Sequence, residues 1–157
     1  MNIKVGQLAP EFTLYDTDKN QVTLSDFKGK TVLILFFPLA FTSVCTKELC
    51  AVRDDISRYS NVKAEVLGIS VDSLFTLKKY KEDQNYSFPL LSDFNKEVSA
   101  LYGSLYTEWK YEMKGVSKRS VFIINRSGEI SYSEILENAS DMPDFKVINE
   151  KLAELNK

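Results

Sequence analysis

Thr31–Phe37, TVLILFF, is the stretch that most restricts the fold. After the threonine every side chain is apolar, and nothing in it alternates with polar residues. A strand of this kind needs apolar cover on both faces. It therefore belongs in the middle of a sheet that has a layer above and a layer below.

The remainder of the chain supplies those layers. Glu65–Ser70 (EVLGIS) and Ser120–Asn125 (SVFIIN) read as further buried strands. Helical patterns fall at about Ser43–Tyr59, Ser73–Gln84, Lys96–Leu101 and Met142–Asn156, the last burying Phe145, Ile148, Leu152 and Leu155. Phe12–Tyr15 and Val22–Leu24 form a hairpin across the turn-rich DTDKN, and Ser25–Lys30 makes one capped turn. Phe88–Asp93 is extended, and RSGE at Arg126–Glu129 turns the chain into Ile130–Leu136. Strands alternating with helices predict a layered α/β domain, and the RSGE hairpin makes its sheet mixed. With 157 residues and no repeat, linker or low-complexity stretch, residues 1–157 read as a single domain.

Composition excludes several classes of function. A net charge of −2 without runs of like charge argues against nucleic-acid or anionic-membrane partners. The longest apolar run, Val32–Phe41, is broken by Pro38 and falls far short of the ~20 residues of a membrane span. MNIKVGQLAPEF lacks an apolar signal core, so a cytoplasmic protein is expected. The chain has no histidine, which removes a Cys–His acyl-transfer pair, a histidine-ligated zinc and a histidine general base. Two cysteines are too few soft ligands for a metal, so neither metal nor cofactor is expected.

Chemistry concentrates in Phe36–Cys50, FFPLAFTSVCTKELC. Cys45 lies in the first turn of the predicted helix, where unpaired backbone N–H groups and the helix dipole favour thiolate over thiol. Cys45, Leu49, Val52 and Ile56 share one apolar stripe, which turns Cys45 inward and leaves it half-buried. Cys50 is rotated by ~140° from it. Its helical neighbours Thr46, Lys47, Arg53, Asp54 and Ser57 are polar, which predicts a thiol on the wet face. A nucleophile with no general base suits an easily departing leaving group, such as one oxygen of a peroxide. Each feature also has a plainer reading. Cys45 can be a small core residue, Thr42 or Ser43 merely the helix N-cap, Glu48 a partner of the helix dipole, and Arg119 a solvated charge beside Lys118. Tyr106, Trp109 and Tyr111 read as core or as cover for the loop before Arg119, with a dimer contact as the alternative.

Taken together, these residues resemble a peroxiredoxin, a thiol peroxidase of the thioredoxin fold. Pro38, Thr42 and Cys45 match the family's P-x-x-x-T-x-x-C, and Arg119 in KRSVFIINRSGEI matches its arginine. GQLAPEFTL, TVLILFFPLAFT and FPLLSD extend the likeness over nearly the whole chain. FFPLAFT with FPLLSD is similar to the alkyl hydroperoxide reductase E-like members. The C-x-x-x-x-C spacing with Glu48 is similar to the bacterioferritin-comigratory (PrxQ) group.

The resemblance implies a thioredoxin-like fold and a peroxidatic Cys45 that becomes a sulfenic acid. It implies that Thr42 hydrogen-bonds the sulfur or the peroxide, and that Arg119 stabilises the thiolate and the leaving oxygen. The N–H groups of Val44 and Cys45 add donors, Pro38 shapes and shields the loop, and Glu48 holds Arg119. It makes Cys50 the resolving cysteine of an intramolecular disulfide reopened by a thioredoxin-type or glutaredoxin-type reductant. Helix geometry sets a condition on that step. Residues five apart on a helix have Cα atoms roughly 8.6 Å apart. A disulfide needs them within about 7 Å, so the first turns must unwind. A one-cysteine enzyme resolved by an external thiol is the alternative. Outside the family, a thioredoxin-like thiol–disulfide oxidoreductase or a redox sensor stay open. Relatives imply a monomer or a homodimer.

Overall fold

A computed structural model of the protein describes residues 3–156. Its main sheet has the strand order β2-β1-β5-β4-β3-β8-β9. In chain order β1 is Thr13–Asp16, β2 Gln21–Thr23, β3 Thr31–Phe36, β4 Ala64–Ser70, β5 Leu90–Ser92, β8 Ser120–Ile124 and β9 Ile130–Ile135. A separate hairpin pairs β6, Leu105–Glu108, with β7, Lys114–Ser117. The helices are α1 Ser43–Asp54, α2 Ile56–Asn61, α3 Leu74–Gln84, α4 Glu97–Leu101 and α5 Phe145–Leu155.

The apolar run occupies the place its pattern demands. Strand β3 pairs parallel with β4 and antiparallel with β8, and all six of its residues are buried. Because side chains alternate across a strand, the run serves two cores. Leu33 and Leu35, with Phe37 beyond the strand end, pack with α1 (Cys45, Leu49, Val52), α3 (Leu77, Tyr80) and α5 (Ile148, Leu152). Val32, Ile34 and Phe36 pack on the other face with Phe12, Leu24, Val98 and Tyr102. The sheet is mixed, since β3, β4 and β5 run parallel while β1, β2, β8 and β9 join antiparallel. This is the α/β thioredoxin-like architecture, with a central mixed sheet flanked by helices. Among the described residues no helix is long and apolar enough to cross a membrane.

Three expectations need correction. The helix predicted over Ser43–Tyr59 is two helices, broken at Asp55, where φ is −114° and ψ 24°. Asp54 and Asp55 are consecutive poor helix formers whose carboxylates take arginine partners, Arg53 at 2.9 Å and Arg58 at 2.5 Å. The β6–β7 hairpin was not foreseen, because LYTE and KGVS lack an apolar alternation and lie outside the main sheet. The aromatic group is surface, not core. Tyr111 is 91% exposed, and Tyr106 stacks on Trp109 at 6.2 Å. Tyr106 does cover the chain near Arg119, because its hydroxyl donates to the Glu137 carbonyl at 2.8 Å.

Candidate active site

Strand β3 carries the chain to Phe36, and Phe37 still donates its N–H to Ile69 at 3.0 Å. Pro38 has no N–H to continue the ladder, and the chain leaves the sheet there. The loop that follows is tied to the end of β4 through Asp72. Its Oδ2 accepts from the Ala40 N–H at 2.8 Å and from the Ser70 hydroxyl at 2.6 Å. Burial pushes the Asp72 carboxyl up, against the pull of those bonds. Phe41 turns the loop in the left-handed region, at φ 67°. Thr42 is the N-cap residue in extended backbone, and the Thr46 N–H donates to its carbonyl at 3.0 Å. Its hydroxyl does not cap the helix but donates to the Leu39 carbonyl at 2.7 Å.

Cys45 then falls in the first turn of α1, where backbone N–H groups have no helical acceptor. Its sulfur faces inward as the stripe requires. It is only 1% exposed, deeper than the half-buried position read from the sequence. Arg119, just before β8, reaches it across the sheet end, with Nη2 donating to Cys45 Sγ at 3.3 Å. Every guanidinium nitrogen is used. Nη1 donates to Glu48 Oε1 at 2.7 Å, and Nε and Nη2 donate to the Ala139 carbonyl at 3.2 and 3.0 Å. Arg119 is 1% exposed and Glu48 fully buried.

One cation therefore faces two acids in a dry setting. Burial raises the Glu48 pKa from an ordinary 4.5 to about 7. Arg119 pulls it down and the Glu134 carboxylate on β9 adds a smaller push upward. Burial lowers the Arg119 pKa, but Glu48 and Cys45 outweigh it and hold the guanidinium above its ordinary value. Glu48 Oε2 is buried without a hydrogen-bond partner. An ionised Glu48 thus has only half of its acceptors satisfied, which agrees with a carboxyl that keeps its proton readily.

Cys50 departs from the wet face predicted for it. It is half-buried against the α3 side of the core, with Sγ 3.5 Å from Gln84 Oε1 and 3.6 Å from the Tyr86 hydroxyl. The helical wheel of α1 alone could not show that α3 covers this side. Both cysteines are free. The Ala139 carbonyl was also beyond sequence reading, since any residue type offers the same oxygen. Among the described residues no cluster of three or more His, Cys, Asp or Glu is placed to hold a metal. A cleft of about 180 Å³, lined by Leu8, Glu11, Phe27, Lys30, Ile124 and Gly128, opens at the opposite end of β3 and β8 and is no part of this site.

A buried thiol at a helix start, held by a fully bonded arginine at the end of a thioredoxin-like sheet, defines a thiol peroxidase. Comparison with known proteins agrees. Residues 5–133 match the model of the AhpC/TSA family, and the chain belongs to that family. It is 37% identical over 156 residues to alkyl hydroperoxide reductase E of Mycobacterium bovis, covering 98% of both chains. It is 40% identical over 143 residues to the putative peroxiredoxin ycf42 of Pyropia yezoensis, covering 85% of this chain and 69% of that one. Among solved structures, peroxidoxin BcpB from Mycobacterium tuberculosis aligns with a TM-score of 0.83 at 28% identity, covering 98% and 97% of the two chains. A peroxiredoxin-like protein from Aquifex aeolicus aligns with a TM-score of 0.89 at 26% identity, covering 99% and 89%. The protein is a peroxiredoxin, an antioxidant oxidoreductase that reduces peroxide at the expense of thiols.

Proposed function

We propose that the whole chain, residues 1–157, works as one peroxiredoxin domain in the cytoplasm. It reduces hydrogen peroxide and organic hydroperoxides through Cys45. The observation that carries this reading is the 3.3 Å contact between Arg119 Nη2 and Cys45 Sγ, on an arginine that cannot swing away without breaking its bonds to Glu48 and Ala139. The guanidinium and the first-turn N–H groups converge on the sulfur, and the thiolate is the reactive form. The thiolate attacks the terminal oxygen of the hydroperoxide. An S–O bond forms, the O–O bond breaks, and the sulfur loses two electrons to the leaving alkoxide or hydroxide, which takes a proton. Arg119 and the N–H groups of Val44 and Cys45 stabilise the charge as it moves onto that oxygen. Glu48 positions Arg119. Thr42, its hydroxyl proton held by Leu39 in the resting loop, offers its oxygen as an acceptor to the incoming peroxide. Pro38 is buried and keeps the loop dry around the sulfenate.

Cys50 resolves the sulfenate. Its thiol displaces water from Cys45–SOH to give a Cys45–Cys50 disulfide, which a thioredoxin-type or glutaredoxin-type dithiol reopens. One observation favours a second reading. Cys50 is held against Gln84 and Tyr86, and an external thiol that attacks Cys45 directly has no need to free it. Intact mass after one equivalent of hydrogen peroxide separates the two. A loss of two mass units is the internal disulfide, and a gain of sixteen that persists until a thiol is added is the one-cysteine route. No mass change together with no peroxide consumption overturns the peroxidase reading.

A further inference from the structure

The structure assigns a polar seam between α1 and α3, and we propose that Tyr80, Gln84 and Tyr86 are positioning residues that set how often the first turns of α1 open. The inference deepens the resolving role proposed for Cys50 and rests on it for its purpose, though not for its physics.

Helix α1 touches its surroundings with two stripes of different character. The inner stripe, Cys45, Leu49 and Val52, is buried in the apolar core. The second stripe, Thr46, Cys50 and Arg53, follows the same i, i+4, i+7 spacing one position later. Each of its members meets the C-terminal half of α3 or the residues just after it. Thr46 Oγ1 is 2.9 Å from the Tyr80 hydroxyl. Cys50 Sγ meets Gln84 Oε1 and the Tyr86 hydroxyl. Arg53 Nη1 donates to the Gln84 carbonyl at 2.7 Å.

The tyrosines make this seam notable. Tyr80 is 0% exposed and Tyr86 4%, and their rings pack edge to face at 5.3 Å inside the same apolar cluster. A phenylalanine fills that space equally well, so the packing leaves the hydroxyls unexplained. Both hydroxyls lie on the α1 side, and burial holds both above the ordinary tyrosine pKa, so they remain neutral donors. Phe41, at the end of the loop that leads into α1, lies on the Tyr80 ring at 4.9 Å.

The seam matters because Cys45 and Cys50 cannot join while α1 is intact. An apolar seam would resist opening in proportion to its area. Neutral hydrogen bonds contribute little net stability, because water replaces each partner on opening. Three such neutral contacts flank the first turns, with the charged Arg53–Gln84 bond beyond them, and they hold the helix closed while Cys45 reacts, yet let it open while the sulfenate lasts. The same contacts keep the Cys50 thiol facing away from Cys45 until they break.

The test is hydrogen exchange of reduced wild type, Tyr80→Phe, Thr46→Val and the double variant, with α5 as internal reference. Each single change is expected to speed exchange of the α1 amides about fivefold and to leave α5 unchanged. The double variant is expected to go little further than either single one, since both remove one bond. After one equivalent of peroxide, disulfide formation accelerates by the same factor. Equal acceleration of α1 and α5, or none, overturns the seam as a latch. If exchange responds as expected but wild type never forms the disulfide, the latch stands and the resolving role of Cys50 falls.

Discussion

The two thiols of α1 lie five positions apart and live in opposite chemistries. Cys45 is buried in an ionic cluster with Arg119 and Glu48, every guanidinium nitrogen bonded. Cys50 sits half-buried among neutral groups, the Gln84 carboxamide and the Tyr86 hydroxyl. Charge suits the proposed nucleophile. Neutral contacts suit a thiol that the proposed resolving step releases. Breaking a buried ion pair strands a charge in low dielectric, whereas breaking a neutral bond at a half-buried site only admits water. The same helix therefore carries a charged contact on one side and neutral contacts on the other.

The sharpest way to break this contrast is to exchange the roles of the cysteines. Cys45→Ser is expected to abolish peroxide consumption, while Cys50→Ser leaves the rate of the first oxidation unchanged and removes only the two-unit mass loss. Comparable losses from both variants would show that the two sulfurs are not specialised. The next effect is on stability. Leu49 is fully buried on the Cys45 side, so Leu49→Ala is expected to lower unfolding free energy by about 2–5 kcal/mol in urea titration.

The charged side should also leave a pH signature. Glu48 holds its proton to about 7 when folded, against an ordinary 4.5. Between those values the native state binds more protons than the unfolded chain. The contribution of this group is therefore fully present below 4.5 and lost as pH rises through 7. The loss is on the order of 3 kcal/mol. Urea titrations from about pH 5 to 8 should show this slope in wild type and not in Glu48→Gln, which keeps an acceptor for Arg119 without the titration. A smaller change loosens the neutral side. Ser73 caps α3 by accepting from the Thr76 N–H at 3.1 Å, and Ser73→Ala is expected to cost about 1 kcal/mol.

The contrast between the two sides also marks where the sequence was legible. The central strand was readable because a run without alternation has one home, and the paired stripes of β3 fill both cores. The spaced motif singled out Pro38, Thr42 and Cys45, Arg119 stood out before an apolar strand, and the structure gathers Arg119, Cys45 and Glu48 within hydrogen-bond reach. What the sequence hid depends on which element lies opposite. Cys50 looked solvated because its helical neighbours are polar, but their partners lie on α3, more than thirty residues away. The Ala139 carbonyl and the β6–β7 hairpin carry no side-chain signal. The break falls at two adjacent aspartates, poor helix formers, which an apolar stripe running through to Ile56 conceals.

The central claim is that a single guanidinium makes the Cys45 sulfur reactive, and one single-turnover experiment addresses it. Oxidation of Cys45 by hydrogen peroxide at pH 7 can be followed by stopped flow in Cys50→Ser, with and without Arg119→Met. A fall of about 10²–10³ in rate on losing the arginine, with the fold retained by circular dichroism, is the predicted result. An unchanged rate in the folded variant would contradict the account.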